Sequence, residues 1–210
     1  MSQKRIAVLT LSKSEPRLML SGVKDGQLHV IKSDRLARSM AELKKTLPKR
    51  LEKIQSSGFV LLVDEVIPCF GHYGRTVKLS DMDGNEKPII ASAMEAYLNL
   101  TAYQSISYPQ GSGGAFEISP SVVEEMRGTD GKAVYNIDWD ALNPDSVALL
   151  LTVHAATQDT LFDMSSMKEL IEKVGPKKTS PSPQKRFWGI VEQINKTQLS
   201  QNALVGDNDA

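Results

Sequence analysis

Cysteine is almost absent. Cys69 stands alone in 210 residues, which excludes an intrachain disulfide framework and any CxxC-type zinc site. Net charge is absent as well: 25 Lys plus Arg balance 25 Asp plus Glu. Global electrostatics therefore selects no partner, and only the local placement of charge is informative. No apolar run approaches the length that crosses a bilayer. The N-terminal Met-Ser-Gln-Lys-Arg leads into an apolar stretch too brief for a signal peptide. These absences lead us to expect an intracellular, cytoplasmic protein with no membrane partner. Internal repeats are missing too, which argues against solenoids and propellers.

The remainder is ordinary for a globular chain, at 40% hydrophobic and 24% charged residues. Its length suits one domain with an appendage. The most informative stretch is Phe59-Val-Leu-Leu-Val-Asp-Glu-Val66, an apolar run ending in two carboxylates. Such a run reads as a buried, parallel strand. Asp64 and Glu65 are then either the first solvated residues after a strand or a site at the carboxyl edge of an open α/β sheet, where ligands bind.

Before that strand, Ile6–Leu11, Arg17–Val23 and Gln27–Ile31 read as strands, the last two joined by the hairpin signal Asp25-Gly26. Ser33 or Asp34 is expected to cap a helix whose apolar positions are Leu36, Met40, Leu43, Leu47, Leu51 and Ile54. Pro48 implies a kink or a break into two helices, and Gly58 ends the helix. A glycine-containing loop and a short strand over 76–79 come next. Pro88 opens a helix to about Tyr103, and Ile106–Tyr108 suggests another strand. Ser119-Pro120 predicts a short helix through Met126, and Asn143-Pro144-Asp145 a nearly all-apolar, buried helix through Ala156. A last helix is expected over 165–174. We therefore read residues 1–174 as one α/β domain with an antiparallel N-terminal hairpin. Residues 175–210 read as a flexible, basic, proline-rich tail.

Three strands, a helix, then a central strand is the order of the ribonuclease-H-like mixed sheet with flanking helices. The segment from Lys87 to Ala156 resembles the C-terminal half of the nuclease domain of tailed-phage large terminase subunits. The likeness rests on Lys87 with Ile89–Leu100, Ile106-Ser-Tyr-Pro109, Val122-Val-Glu-Glu-Met-Arg-Gly128, Asp138-Trp-Asp-Ala-Leu142 and Asp145–Leu151. With Asp64-Glu65 and the hairpin, it spans roughly residues 4 to 160. The resemblance implies a metal-dependent nuclease of DNA-packaging type that hydrolyses phosphodiesters. Asp64, Glu65 and Asp145 would be catalytic, and Asp64, Asp145 and Asp140 would hold Mg2+ or Mn2+, hard cations that take oxygen ligands. DNA and a larger phage assembly are the implied partners, and the cytoplasm would then be that of the host.

Two departures stand beside this. The family's first strand carries a catalytic aspartate, whereas Ile6–Leu11 has none and Glu15 is the nearest acid. No Walker A sequence occurs, so no ATPase motor domain is expected. Asp145 also suits a helix's first turn for dipole reasons, and Asp138 and Asp140 suit a turn. The alternative is therefore a non-catalytic accessory protein on the same scaffold, binding nucleic acid or protein. Arg35, Arg38, Lys44, Lys45, Lys49, Arg50 and Lys53 crowd the first helical region, and Lys177, Lys178, Lys185 and Arg186 adjoin Phe187 and Trp188 in the tail. With Arg75, these basic residues suit a phosphate backbone or, for the helix, an ordinary solvated face. The tail equally suits docking to a protein. The stretch Asp81 to Glu86 only superficially resembles a calcium loop. His154 reads as a core residue, and His72, just past Asp64-Glu65, as a residue that could assist at a phosphate.

Overall fold

The computed structural model describes residues 4–84, 87–129 and 131–158. The chain divides into two units, Met1–Lys173 and Val174–Ala210, and every described residue lies in the first. The expected helix over 165–174 and the tail with Lys185 and Arg186 lie outside the described residues.

Three strands open the chain as an antiparallel meander: β1 (Lys4–Ser12), β2 (Glu15–Lys24) and β3 (Gln27–Arg35). Both connections are two-residue turns with positive φ at each position, 48° and 60° at Lys13 and Ser14, 52° and 77° at Asp25 and Gly26. That backbone matches the right-handed twist of the strands it joins. Between Leu20 and Ser21 of β2 the register slips, because β3 carries Ile31 as one extra residue. Such a bulge exchanges the faces of the side chains beyond it. Ser33 and Arg35 consequently share a face with Met19 and Arg17, while Asp34 lies with Leu18 on the other.

Helix α1 (Met40–Ser56) buries Leu43, Leu47, Leu51 and Ile54, as their spacing requires. Its start differs from the expected cap at Ser33 or Asp34. β3 continues through Arg35 because pairing with β2 satisfies its backbone, and Ser39 takes the N-cap position. Pro48 does not divide the helix, which is continuous across it; Leu47 and Leu51 are packed into the core on either side. Gly58, at φ 77°, closes the helix in the left-handed conformation that favours glycine.

Strand β4 (Val60–Asp64) lies parallel to β1, and β5 (Arg75–Val77) parallel to β4 after a 3-10 turn over Pro68–Tyr73. Gly74 permits this approach, since a Cβ there would collide with the Leu61 carbonyl. Helix α2 (Ile89–Ala102) leads to β6 (Ile106–Ser107), which adds in parallel to β3. The sheet order is β5-β4-β1-β2-β3-β6. The chain thus has a ribonuclease-H-like mixed α/β fold. α1 covers the face bearing Ala7, Leu9, Leu18, Leu61 and Val63. Helix α3 (Pro144–Thr157) packs against β1 and β2 on the other face and against α2.

The helix expected from Pro120 to Met126 is instead a single turn over Pro120–Val122 followed by β7 (Val123–Arg127), which pairs antiparallel with β8 (Ala133–Ile137). The proline signal holds for one turn only. Beyond it, a five-pair ladder with β8 satisfies the backbone that a helix would have served.

Candidate functional site

The carboxyl end of β1 lies between that of β4, to which Thr10 and Asp64 join it, and the start of β2, where Arg17 reaches the N-terminus of α3. Leu9 pairs with Val63, Thr10 with Arg17, and Arg17 with Arg35. One row across the sheet therefore runs Asp64, Thr10, Arg17, Arg35, and directly opposed residues share a face. Even-numbered β1 residues point away from α1, so this row faces α3.

Asp64 is only 8% exposed. The Thr10 hydroxyl donates to its Oδ2 at 3.0 Å, and the Val66 N–H donates to Oδ1 at 3.3 Å. A further N–H comes from Leu11. Burial raises its pKa above the usual carboxylate value and outweighs these bonds, with neighbouring Glu65 adding to the rise. Asp64 thus fastens the end of β4 to that of β1. Thr10 is the polar residue that the first strand places beside it, where no acid is available.

Asp145 sits in the first turn of α3, after Asn143, whose side chain accepts the Ser146 N–H at 2.8 Å and caps the helix. Its Oδ1 accepts from the Ser33 hydroxyl at 2.5 Å, and its Oδ2 lies 3.4 Å from Arg17 Nη2. The same nitrogen is 3.5 Å from Glu15 Oε2. Arg35 and Arg38 each bring an Nη2 to 2.5 Å from Glu15 Oε1. The hydrogen bond from Arg38, with the positive charges of Arg35 and Arg17, holds the Glu15 carboxyl below its usual pKa.

Asp64 and Asp145 therefore face the same side of the sheet, each with its own partners. The other expected ligands are not with them. Glu65 is exposed, its N–H bonded to the Val77 carbonyl at 3.1 Å. Asp140 is exposed at a turn that Asp138 organises by accepting the N–H groups of Asp140 and Ala141, both at 3.1 Å. What Asp140 offers the site is its peptide oxygen, which accepts from Lys13 Nζ at 2.6 Å. Among the described residues no group of three or more His, Cys, Asp or Glu side chains is arranged to hold a metal ion. Asp64 accepts from Thr10, Val66 and Leu11, and Asp145 is taken by a serine and a guanidinium. That donor set does not fit a divalent cation, which needs ionised oxygens without a competing fixed cation.

The expected basic residues divide. Lys44, Lys45 and Lys49 are exposed on α1, and Arg75 is exposed on β5. Arg50 is half-buried and turned onto Asp34, which also pairs with Lys32 at 2.9 Å. Sequence reasoning gave Thr10 and Arg17 no role at the site, took Ser33 for a candidate helix cap, and counted Arg35 and Arg38 as helical. A polar threonine closing the apolar run Ile6–Leu9 was the available signal for the first. Nothing local signals the parity change at Ile31 that brings Ser33 and Arg35 to this face. Asp83 works as part of the α2 entry, accepting from the Lys87 N–H at 3.2 Å and from the Ser92 hydroxyl.

No helix among the described residues is long and apolar enough to cross a membrane. No family model matches the chain, and no curated protein does. Among solved structures the chain is similar to the large terminase from a thermophilic bacteriophage, at a TM-score of 0.43 and 13% identity, over 72% of this chain and 39% of that one. The likeness is distant, and the chain spans well under half of that protein's length.

Proposed function

We propose that this chain is a nucleic-acid-binding accessory protein that uses a ribonuclease-H-like scaffold without cutting. The observation that carries this reading is Arg17, whose Nη2 lies within 3.5 Å of both Asp145 and Glu15, where a cleaving site would keep its carboxylates open for a metal. Three guanidinium groups set against the Asp145 and Glu15 carboxylates turn the local preference from cations toward anions. Arg35 and Arg38 extend that preference to the surface, at 50% and 65% exposed. The lysines at 44, 45 and 49 offer a second basic surface on α1. The terminase-like motif series from Lys87 to Ala156 supports duplex DNA as the nucleic acid, and a DNA-packaging assembly as the setting.

Incubating the protein with supercoiled plasmid and Mn2+ or Mg2+, beside gel retardation of a duplex oligonucleotide, separates binding from cutting. Retardation without nicking is expected. Nicking that depends on Mn2+ and disappears in Asp64→Ala would overturn the reading in favour of a phosphodiesterase.

A further inference from the structure

We propose that Arg17, Arg35 and Arg38 form a phosphate-binding site that Glu15 fills from within the chain, and that a backbone phosphate of DNA takes its place. This deepens the preceding reading and rests on it. Three guanidiniums converge on one carboxylate, with Nη2 to oxygen distances of 3.5, 2.5 and 2.5 Å. A carboxylate and a phosphodiester present the same thing to such a cluster: an anion with two terminal oxygens that accepts forked N–H donors.

The site is open on one side and closed on the other. Arg35 and Arg38 are at least half exposed, whereas Arg17 is 17% exposed and Glu15 20%. An incoming phosphate would meet two solvent-facing arginines, with the third behind them. The tight Lys13-Ser14 turn places Glu15 as the first residue of β2, paired with Ser12, so the carboxylate is held at the mouth.

Donors and positive charge are both in surplus. Arg17 Nε is buried and meets no hydrogen-bond partner. Asp145, the other anion on Arg17, already accepts from Ser33 at 2.5 Å. Three arginines thus face two carboxylates, and displacement of Glu15 by a phosphate keeps that charge balance unchanged.

Fluorescence anisotropy with a fluorescein-labelled duplex DNA tests this on the full chain. Removing the internal competitor in Glu15→Gln is expected to tighten binding at least threefold. The double change Arg35→Gln with Arg38→Gln is expected to weaken it at least fivefold. Those two side chains are surface-exposed, so the double variant decides the matter even if Glu15→Gln does not fold. If the wild type binds and the double variant binds equally well, the site is refuted while the nucleic-acid reading stands. Glu15→Gln folding normally but binding more weakly would refute the role given to Glu15. A wild type that binds no DNA overturns both.

Discussion

A buried ionisable side chain records its surroundings in the pH dependence of stability. His154, on α3, is 7% exposed. Burial disfavours its imidazolium form, the Arg75 charge adds to that, and Asp83 only partly opposes it, so its pKa falls below the ordinary 6.5. Above pH 6.5 the ring is neutral in folded and unfolded chains alike, and contributes no slope. As the pH falls below 6.5 the unfolded chain takes up a proton first. Stability is therefore lost from about that point down to the lower folded pKa, and no further below it. Urea unfolding between pH 8 and pH 5 should show His154→Gln losing less stability than the wild type in the window just under pH 6.5. Parallel profiles would mean that His154 is protonated as easily folded as unfolded. This histidine was legible in the sequence, because a lone imidazole on an apolar helix has few alternatives to the core. Arg17 was not legible. Its partner Glu15 lies two residues before it on β2, but Asp145 comes from α3, and only the packing of that helix on the sheet brings the two to one guanidinium.

At the level of elements, legibility followed how local the deciding interactions are. The periodic apolar face of α1, the Asp25-Gly26 turn and the Asn143 cap are settled within a few residues, and the folded elements agree with them. The start of α1 and the identity of residues 123–127 were decided by strand partners distant in sequence, β2 for one and β8 for the other. The junction of β4 and β5 is decided by backbone proximity, which leaves only a glycine as its trace. A methyl group on Gly74 meets the Leu61 carbonyl, so β5 could not stay at its distance from β4 without a backbone shift. Gly74→Ala should lower stability by about 1–3 kcal/mol, the usual cost of forcing atoms into a packed backbone. Gly84→Ala is the control, because a Cβ there meets nothing within 4 Å. Equal urea midpoints for the two variants would show that the β4–β5 contact yields without cost.

The whole molecule has no net charge, so any affinity for DNA must come from patches, and each patch must appear in the salt dependence. Two lie among the described residues, on opposite sides of the sheet. One is the arginine cluster, whose Arg17 and Arg35 share the α3 face; the other is the lysine face of α1. Each phosphate contact releases condensed counterions and contributes roughly −0.9 to the slope of log K against log salt for duplex DNA. Opposite placement makes it hard for one straight duplex to touch both patches at once. Changing Lys44, Lys45 and Lys49 together to Gln should therefore leave the slope close to that of the wild type if DNA sits on the arginine side. The Arg35 and Arg38 double variant should make it shallower by about one phosphate contact's worth, roughly 0.9. Anisotropy titrations across a series of salt concentrations measure both. A slope that falls with the lysines and not with the arginines would place the duplex on α1, and the arginine cluster would then be an internal ion-pair network holding β2, β3 and α3 together.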